Sequence, residues 1–159
     1  MCNGKTTLCW TDGLTRFIII TPGVPAGNEN KDNLCEALIR KIGKERYFYM
    51  EYKELISLVV EYIFGADWSH EDITIIDDGD YQGTMLFAFH RNCYQPSEWE
   101  YLFGFVSYGS CSYCDTLLAA CDNDTLEGKV SDLLALSLNM VQSLVRPFKN
   151  YWNDSEEME

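Results

Sequence analysis

Apolar and polar positions alternate along this chain with two periods, one helical and one extended, and together they predict its elements. Near the N-terminus, apolar runs over residues 6–10 and 14–21 flank Asp12-Gly13, a dipeptide that favours a type I′ turn. A β-hairpin is therefore predicted there. Two helices should follow, the first carrying Leu34, Leu38 and Ile42 on one face and the second covering about residues 50–64. We expect Asn30 to cap the first helix, and Gly43 and Gly65 to end the two helices.

The middle of the chain changes to extended segments. Residues 73–76 are mostly β-branched, a tight turn is expected over residues 77–80, and apolar residues alternate with other types over residues 81–90 and 99–108. This pattern predicts three strands of an antiparallel β-meander. In the second strand, Met85, Phe87 and Phe89 should share one face. In the third strand, one face should carry Tyr101, Phe103, Phe105 and Ser107.

Helical periodicity returns toward the C-terminus. A short helix is expected from Cys114 or Asp115, and a long final helix should be capped by Asn123 and Asp124 and end at Pro147. We therefore predict an α+β fold, with an N-terminal hairpin and two helices, an antiparallel β-meander, and C-terminal helices packed on the sheet. The length suits a single domain over residues 1–150, followed by an acidic C-terminal tail at 151–159.

Charge is unevenly distributed along the 159 residues. Residues 1–66 hold eight acidic and eight basic side chains, whereas residues 67–159 hold seventeen acidic and four basic, so the second part carries the whole net charge of −13. Such a field repels nucleic acid directly and favours a basic protein surface or a cation as partner. No secretory signal or long apolar stretch is evident, so we expect a cytoplasmic protein with no membrane contact. The candidate interaction residues are Asp67, Glu71, Asp72, Asp77, Asp78 and Asp80.

The junction between the third strand and the short helix contains a Cys-x2-Cys pair. A thiolate at a helix N-terminus would suit disulfide exchange, but the carboxylate of Asp115 opposes thiolate formation. No Lys or Arg lies between Arg91 and Lys129 to offset that charge. We therefore predict no catalytic residues, and we interpret the junction first as a structural corner made by Tyr108, Gly109, Ser110, Cys111, Cys114 and Asp115.

A zinc site is the second interpretation of the same cysteines. His90 and Cys93 precede the pair Cys111 and Cys114, and His-x2-Cys is followed after seventeen residues by Cys-x2-Cys, a spacing that resembles structural zinc sites. Seven cysteines in a chain without an export signal also favour free thiols or a metal over a disulfide framework. We expect no cofactor under the first interpretation and zinc under the second. The acidic turn at 77–80 lacks the distal Glu of a calcium loop, so calcium is not expected there.

Two motifs resemble a family of uncharacterised proteins common in phages and related mobile elements. They are Asp80-Tyr81-Gln82-Gly83-Thr84 and Tyr108-Gly109-Ser110-Cys111-Ser112-Tyr113-Cys114-Asp115, followed by a Leu-rich helix at 132–146. The resemblance covers about residues 72–147. In that family the second motif typically reads Tyr-Gly-Ser-Cys-Ser-Gly-Cys-Asp, and Tyr113 stands where the family has glycine. The resemblance implies a phage-type accessory protein that acts in the host cytoplasm, and it implies no catalytic residues.

Small accessory proteins of phages often act by binding host proteins. We therefore expect a non-enzymatic interaction module, an anti-defence inhibitor that mimics DNA with its carboxylates and occupies a basic nucleic-acid-binding surface of a host protein. Exposed Tyr and Trp side chains would serve as anchors. Two alternatives stay open: a structural-zinc or thiol-redox protein centred on the cysteine pair, and a small-molecule binder whose aromatic pocket near the junction captures a nucleotide signal.

Overall fold

The computed structural model describes residues 6–9, 17–20, 28–43, 47–110 and 115–147, and it describes side chains from residue 29 onward. The fold is α+β, as predicted. The strands are β1 (Thr6–Cys9), β2 (Phe17–Ile20), β3 (Thr74–Asp77), β4 (Gly83–His90), β5 (Tyr101–Tyr108) and β6 (Arg146–Pro147). The helices are α1 (Asn28–Ile42), α2 (Tyr52–Val59), which continues as a π-helical segment at Val60–Phe64, α3 (Thr116–Asp122) and α4 (Leu126–Gln142); a short 3₁₀ turn at Glu98–Glu100 precedes β5.

Strands β3, β4 and β5 form an antiparallel meander in that order, which confirms the predicted sheet. Side chains alternate between the two faces of each strand, so the register divides the sheet into an inner and an outer face. The inner face carries Phe87 and Phe89 of β4 with Leu102 and Val106 of β5, and all four are buried. Gly104 pairs with Phe87 on the neighbouring strand. Glycine suits this position, because the Phe87 ring occupies the space that a Cβ at residue 104 would need.

Helices α1, α2 and α4 bury their apolar stripes in one core with the inner face of the sheet. Leu34 of α1, Leu55 of α2 and Leu133 of α4 are each 0% exposed and belong to the same cluster of buried residues as the inner-face side chains. The predicted glycine ends of the first two helical segments are confirmed, because Gly43 and Gly65 have φ of 59° and 80°. The apolar periodicity of these helices is therefore the pattern that fills the core.

The predicted cap of α1 is wrong. The helix begins at Asn28, so Asn30 lies in its first turn instead of before it. The side-chain Nδ2 of Asn30 donates a hydrogen bond to the carbonyl oxygen of Ile63 at 3.3 Å. A long-range contact to the end of the following helix thus occupies the side chain that the sequence suggested as a local cap.

The short helix α3 begins at Thr116, one residue after the predicted start at Cys114 or Asp115, and Asp115 is its N-cap. The predicted caps of α4, Asn123 and Asp124, are wrong, because Thr125 is the N-cap and its Oγ1 accepts the amide of Gly128 at 3.0 Å. Oδ1 of Asn123 accepts the amide of Thr125 at 3.2 Å, which forms a turn before the helix. This local turn moves the start of α4 past the predicted residues.

Helix α4 also ends earlier than predicted, at Gln142 and not at Pro147. The chain leaves the helix because the following residues bind the edge of β5. Val145 and Phe103 exchange two backbone hydrogen bonds, of 2.9 and 2.7 Å. Oγ of Ser143 lies 3.3 Å from the amide nitrogen of Phe105 and 3.2 Å from its carbonyl oxygen. These contacts close the β5 edge with the chain's own backbone and side chains.

The N-terminal strands form a second sheet. Strands β1 and β2 pair antiparallel, which confirms the predicted hairpin, and β6 adds to β2 as the third strand. The predicted turn at Asp12-Gly13 and the tail at 151–159 lie outside the described residues. Within the described ranges, none of the helices combines the length and apolar character that crossing a membrane requires.

Candidate functional site

The outer face of the β3-β4-β5 sheet carries exposed apolar side chains on all three strands. Ile76 pairs with Leu86, and Leu86 pairs with Phe105, so neighbouring strands contribute one residue each. These side chains, here called the apolar row, are 63%, 50% and 53% exposed. Farther along β5 on the same face, the rings of Tyr101 and Phe103 stack with their centroids 6.1 Å apart. A strand spacing of about 4.8 Å makes the row about 10 Å wide.

The predicted tight turn lies directly beside the apolar row. It consists of Asp77, Asp78, Gly79 and Asp80, here called the acidic turn, and its three carboxylates are exposed. Asp78 follows Ile76 by two residues, and Oδ1 of Asp78 accepts the amide of Thr84 at 2.6 Å. This hydrogen bond across the turn fixes the loop between β3 and β4.

Tyr108 connects the acidic turn to the end of β5. Its hydroxyl oxygen lies 2.5 Å from Oδ1 of Asp77 and 2.8 Å from the carbonyl oxygen of Gly79. The hydrogen bond to Asp77, together with desolvation and the charges of Asp77, Asp78 and Asp80, raises the pKa of Tyr108 to about 12. The hydroxyl therefore stays a neutral donor at physiological pH and stabilises the carboxylate of Asp77.

The other three predicted interaction residues, Asp67, Glu71 and Asp72, lie before β3 and are also exposed. An extended strand rises about 3.3 Å per residue, which places Asp72 about 16 Å from Asp77 along the strand direction. The structure therefore divides the six carboxylates into two exposed groups, one at each end of β3. The acidic turn, and not the group before β3, adjoins the apolar row.

His90 contacts Asp72, a member of the group before β3. Its Nδ1 lies 2.7 Å from the carbonyl oxygen of Arg91, and its Nε2 lies 3.2 Å from Oδ2 of Asp72. Both partners are acceptors, so both ring nitrogens can donate only in the imidazolium form. Burial lowers the pKa of His90, but the hydrogen bonds to Arg91 and Asp72 outweigh burial, and the pKa lies above its ordinary value.

The junction after β5 is anchored by Asp115, which is 5% exposed. Oδ1 of Asp115 accepts the amides of Leu117 and Leu118 at 2.9 and 3.1 Å, and it also accepts the hydroxyl of Tyr52 at 2.9 Å. One oxygen thus begins α3 and ties it to the first residue of α2. Of the other predicted corner residues, Gly109 is half-buried and Ser110 is exposed, whereas Cys111 and Cys114 lie outside the described residues.

The zinc hypothesis remains a prediction, because two of its four ligands, Cys111 and Cys114, lie outside the described residues. The other two differ in their surroundings. Both ring nitrogens of His90 face hydrogen-bond acceptors, whereas Cys93 is exposed beside Glu100, and desolvation and that carboxylate raise the pKa of its thiol. Across the described ranges, no three His, Cys, Asp or Glu side chains converge in a way that would hold a metal ion.

A cleft of about 440 Å³ lies where the start of α2 meets the junction and the inner-face end of the sheet. Tyr49, Tyr52 and Tyr108 line it, and the Tyr52 and Tyr108 ring centroids are 6.3 Å apart. Its carboxylates include Asp80 and Asp115. Tyr49 and Tyr52, which lie just before and at the first residue of α2, were not among the residues that the sequence singled out.

No protein-family model, curated protein or solved structure matches this chain.

Proposed function

We propose that this protein is a non-enzymatic interaction module that binds a basic surface of another protein through the apolar row and the acidic turn. The observation that carries the proposal is the side-by-side exposure of Ile76, Leu86 and Phe105, with the exposed Asp78 of the acidic turn two residues beyond Ile76. Contiguous exposed apolar surface rimmed by polar residues is typical of protein–protein interaction sites. The outer sheet face has this arrangement.

The two parts of this surface contribute different terms to binding. The side chains of the apolar row are each about half exposed, and burying the remainder of all three contributes roughly 2–4 kcal/mol. The carboxylates of the acidic turn speed the encounter with a basic partner and disfavour acidic ones. Affinity thus comes mainly from the row, and selectivity and salt dependence come mainly from the turn.

Tyr81 supplies the aromatic anchor that such an interface needs. It follows the acidic turn directly and is 82% exposed, whereas Trp68 is buried in the core. Tyrosines are enriched among residues that dominate binding energy. Together with the resemblance to phage proteins, these features favour a partner whose basic groove binds nucleic acid in the host, so that the protein acts as an anti-defence inhibitor and carboxylates stand in for phosphates.

Affinity capture from host extract, with quantitative binding to each captured protein, tests the proposal. Two double variants separate the two parts of the surface: Leu86→Ser with Phe105→Ser removes the row, and Asp78→Asn with Asp80→Asn removes charge from the turn. The first variant should lose capture at every salt concentration. The second should bind more weakly at low salt and should show a smaller salt dependence than the wild type.

A matched control removes two charges elsewhere. Asp124→Asn with Glu127→Gln changes two exposed carboxylates at the start of α4 and should leave capture unchanged. Wild-type affinity that is equal at low and high ionic strength would refute the proposal. Equal loss in the control and in the turn variant would show that net charge, and not the acidic turn, governs binding.

The zinc alternative has a separate test. Elemental analysis of protein prepared without chelators should give about one zinc per chain if His90, Cys93, Cys111 and Cys114 form a structural site. A His90→Gln variant that keeps its metal would exclude His90 as a ligand. Because Asp72 already binds Nε2 of His90, zinc binding there would have to displace this hydrogen bond.

A further inference from the structure

The cleft lies on the opposite side of the sheet from the apolar row. Ile75, Met85 and Tyr108 line it, and they belong to the inner face, whereas Ile76 and Leu86 belong to the outer face. Its volume of about 440 Å³ falls in the range of small-molecule sites, roughly 300–1,000 Å³. We propose that this cleft binds an aliphatic polyamine, a methylene chain that carries two or more ammonium groups.

Charge at the cleft selects a cation. Of the described residues that line it, four are acidic, namely Glu51, Asp77, Asp80 and Asp115, and one is basic, Lys53. A phosphate-bearing ligand such as a nucleotide would face four carboxylates at close range, which opposes its binding. The electrostatic field of the cleft therefore favours a ligand with more than one positive charge.

Among the carboxylates of the cleft, Asp115 is the most buried. Asp115 is 5% exposed, and the donors that reach it, the hydroxyl of Tyr52 and the amides of Leu117 and Leu118, all bind Oδ1. A carboxylate that is largely removed from water gains most from a charged donor, so an ammonium N–H is the complementary group.

The remaining lining suits the methylene chain. The rings of Tyr49, Tyr52 and Tyr108 attract ammonium groups through their faces, and the apolar side chains of Ile75 and Leu118 favour hydrocarbon. Metal ions such as Ca²⁺ require six to eight oxygen ligands, a shell that leucine, isoleucine and tyrosine rings do not supply. The mixture of carboxylate, aromatic and aliphatic surface thus matches an organic cation better than an inorganic one.

Isothermal titration calorimetry with spermidine, at about 0.15 M ionic strength so that diffuse charge is screened, tests the inference. The wild type should bind one spermidine in a saturable manner, and butylamine, which carries one charge, should bind more weakly. Asp80→Asn and Tyr49→Leu should each raise the dissociation constant by about fivefold, equivalent to about 1 kcal/mol for one exposed ion pair or cation–π contact. Both residues are exposed, so these variants should fold.

Control variants separate this site from other effects. Asp124→Asn removes the same charge away from the cleft and should leave spermidine binding unchanged. Leu86→Ser should also leave it unchanged, although it weakens binding of a protein partner, so failure of either proposal is distinguishable from failure of the other. No saturable binding at about 1 mM spermidine, equal weakening by Asp124→Asn and Asp80→Asn, or saturable binding of ATP in place of spermidine would each overturn the inference.

Discussion

The hydrogen bond between Tyr52 and Asp115 gives the sharpest test of how this fold is held together. Tyr52→Phe removes only the hydroxyl, which donates to Oδ1 of Asp115 at 2.9 Å in a buried setting. A hydrogen bond to a charged group contributes about 1.5–3 kcal/mol, so this variant should lose about that much stability. Asp115→Ala should lose the same bond and also the N-cap of α3, a further 0.5–2 kcal/mol or about 1 kcal/mol typically.

The double variant, Tyr52→Phe with Asp115→Ala, measures how strongly the two residues are coupled. If the two residues act through one shared bond, the coupling energy from urea unfolding of the four proteins should be about 1.5–3 kcal/mol. Tyr62→Phe provides the matched control, because its hydroxyl accepts an exposed hydrogen bond from Arg40 at 3.3 Å, and the variant should cost under about 0.5 kcal/mol. A coupling energy below about 0.5 kcal/mol would show that the observed bond does not join α2 to the junction.

The pH dependence of the same pair follows from the pKa of Tyr52. Burial of the ring, the hydrogen bond to Asp115 and the charge of that carboxylate all raise this pKa. A raised pKa in the folded state contributes stability that is complete below the pKa of unfolded tyrosine, about 10, and is lost as the pH rises through the folded value. Unfolding at pH 7 therefore measures the full coupling, and the wild type should lose more stability than Tyr52→Phe above about pH 10.

Three further predictions concern the core and the charge balance. Gly104→Ala would place a Cβ in the space that the Phe87 ring occupies and should destabilise the fold by about 1–3 kcal/mol in urea unfolding; a loss within error would contradict the observed packing. Phe89→Ala should cost about 3–5 kcal/mol, because this ring is 1% exposed, and a smaller loss would mean that the core collapses around the cavity. The raised pKa of His90 contributes stability that is complete below about pH 6.5 and is lost as the pH rises through the folded value. Asp72→Asn should therefore destabilise more at pH 5.5 than at pH 9, by under about 1 kcal/mol, and an equal cost at both pH values would exclude the ion pair.

The sequence predicted those parts of the fold that depend on local periodicity. The apolar stripe of α4 and the alternation of β4 and β5 are set by neighbouring residues, and the glycine ends at Gly43 and Gly65 follow from backbone freedom at one position. The ends of α1 and α4 depend on distant partners. Asn30 contacts Ile63, and the chain around Val145 pairs with β5, and no local pattern reveals either contact.

The candidate sites depended more strongly on tertiary structure. Apolar residues occur at both phases of β4, with Phe87 on one face and Leu86 on the other, so the sequence alone did not decide which face the helices cover. The six carboxylates were visible as a cluster in sequence, but the extended conformation of β3 separates them into two groups. The cleft brings Tyr52 of α2 beside Tyr108 of β5, a proximity that depends on tertiary packing and not on local sequence.

The edges of the sheet have a consequence for how copies of this protein behave in a crowded cell. Ser143 and Val145 close the β5 edge, so β3 is the edge strand at which another chain could add. An open strand beside an apolar face is an aggregation hazard, and proteins commonly protect such edges with charge. Asp72 and the acidic turn stand at the two ends of β3 and repel an identical copy that approaches it. The carboxylates that would attract a basic partner therefore also keep the protein from adding to itself, and neutralising them would remove both properties together.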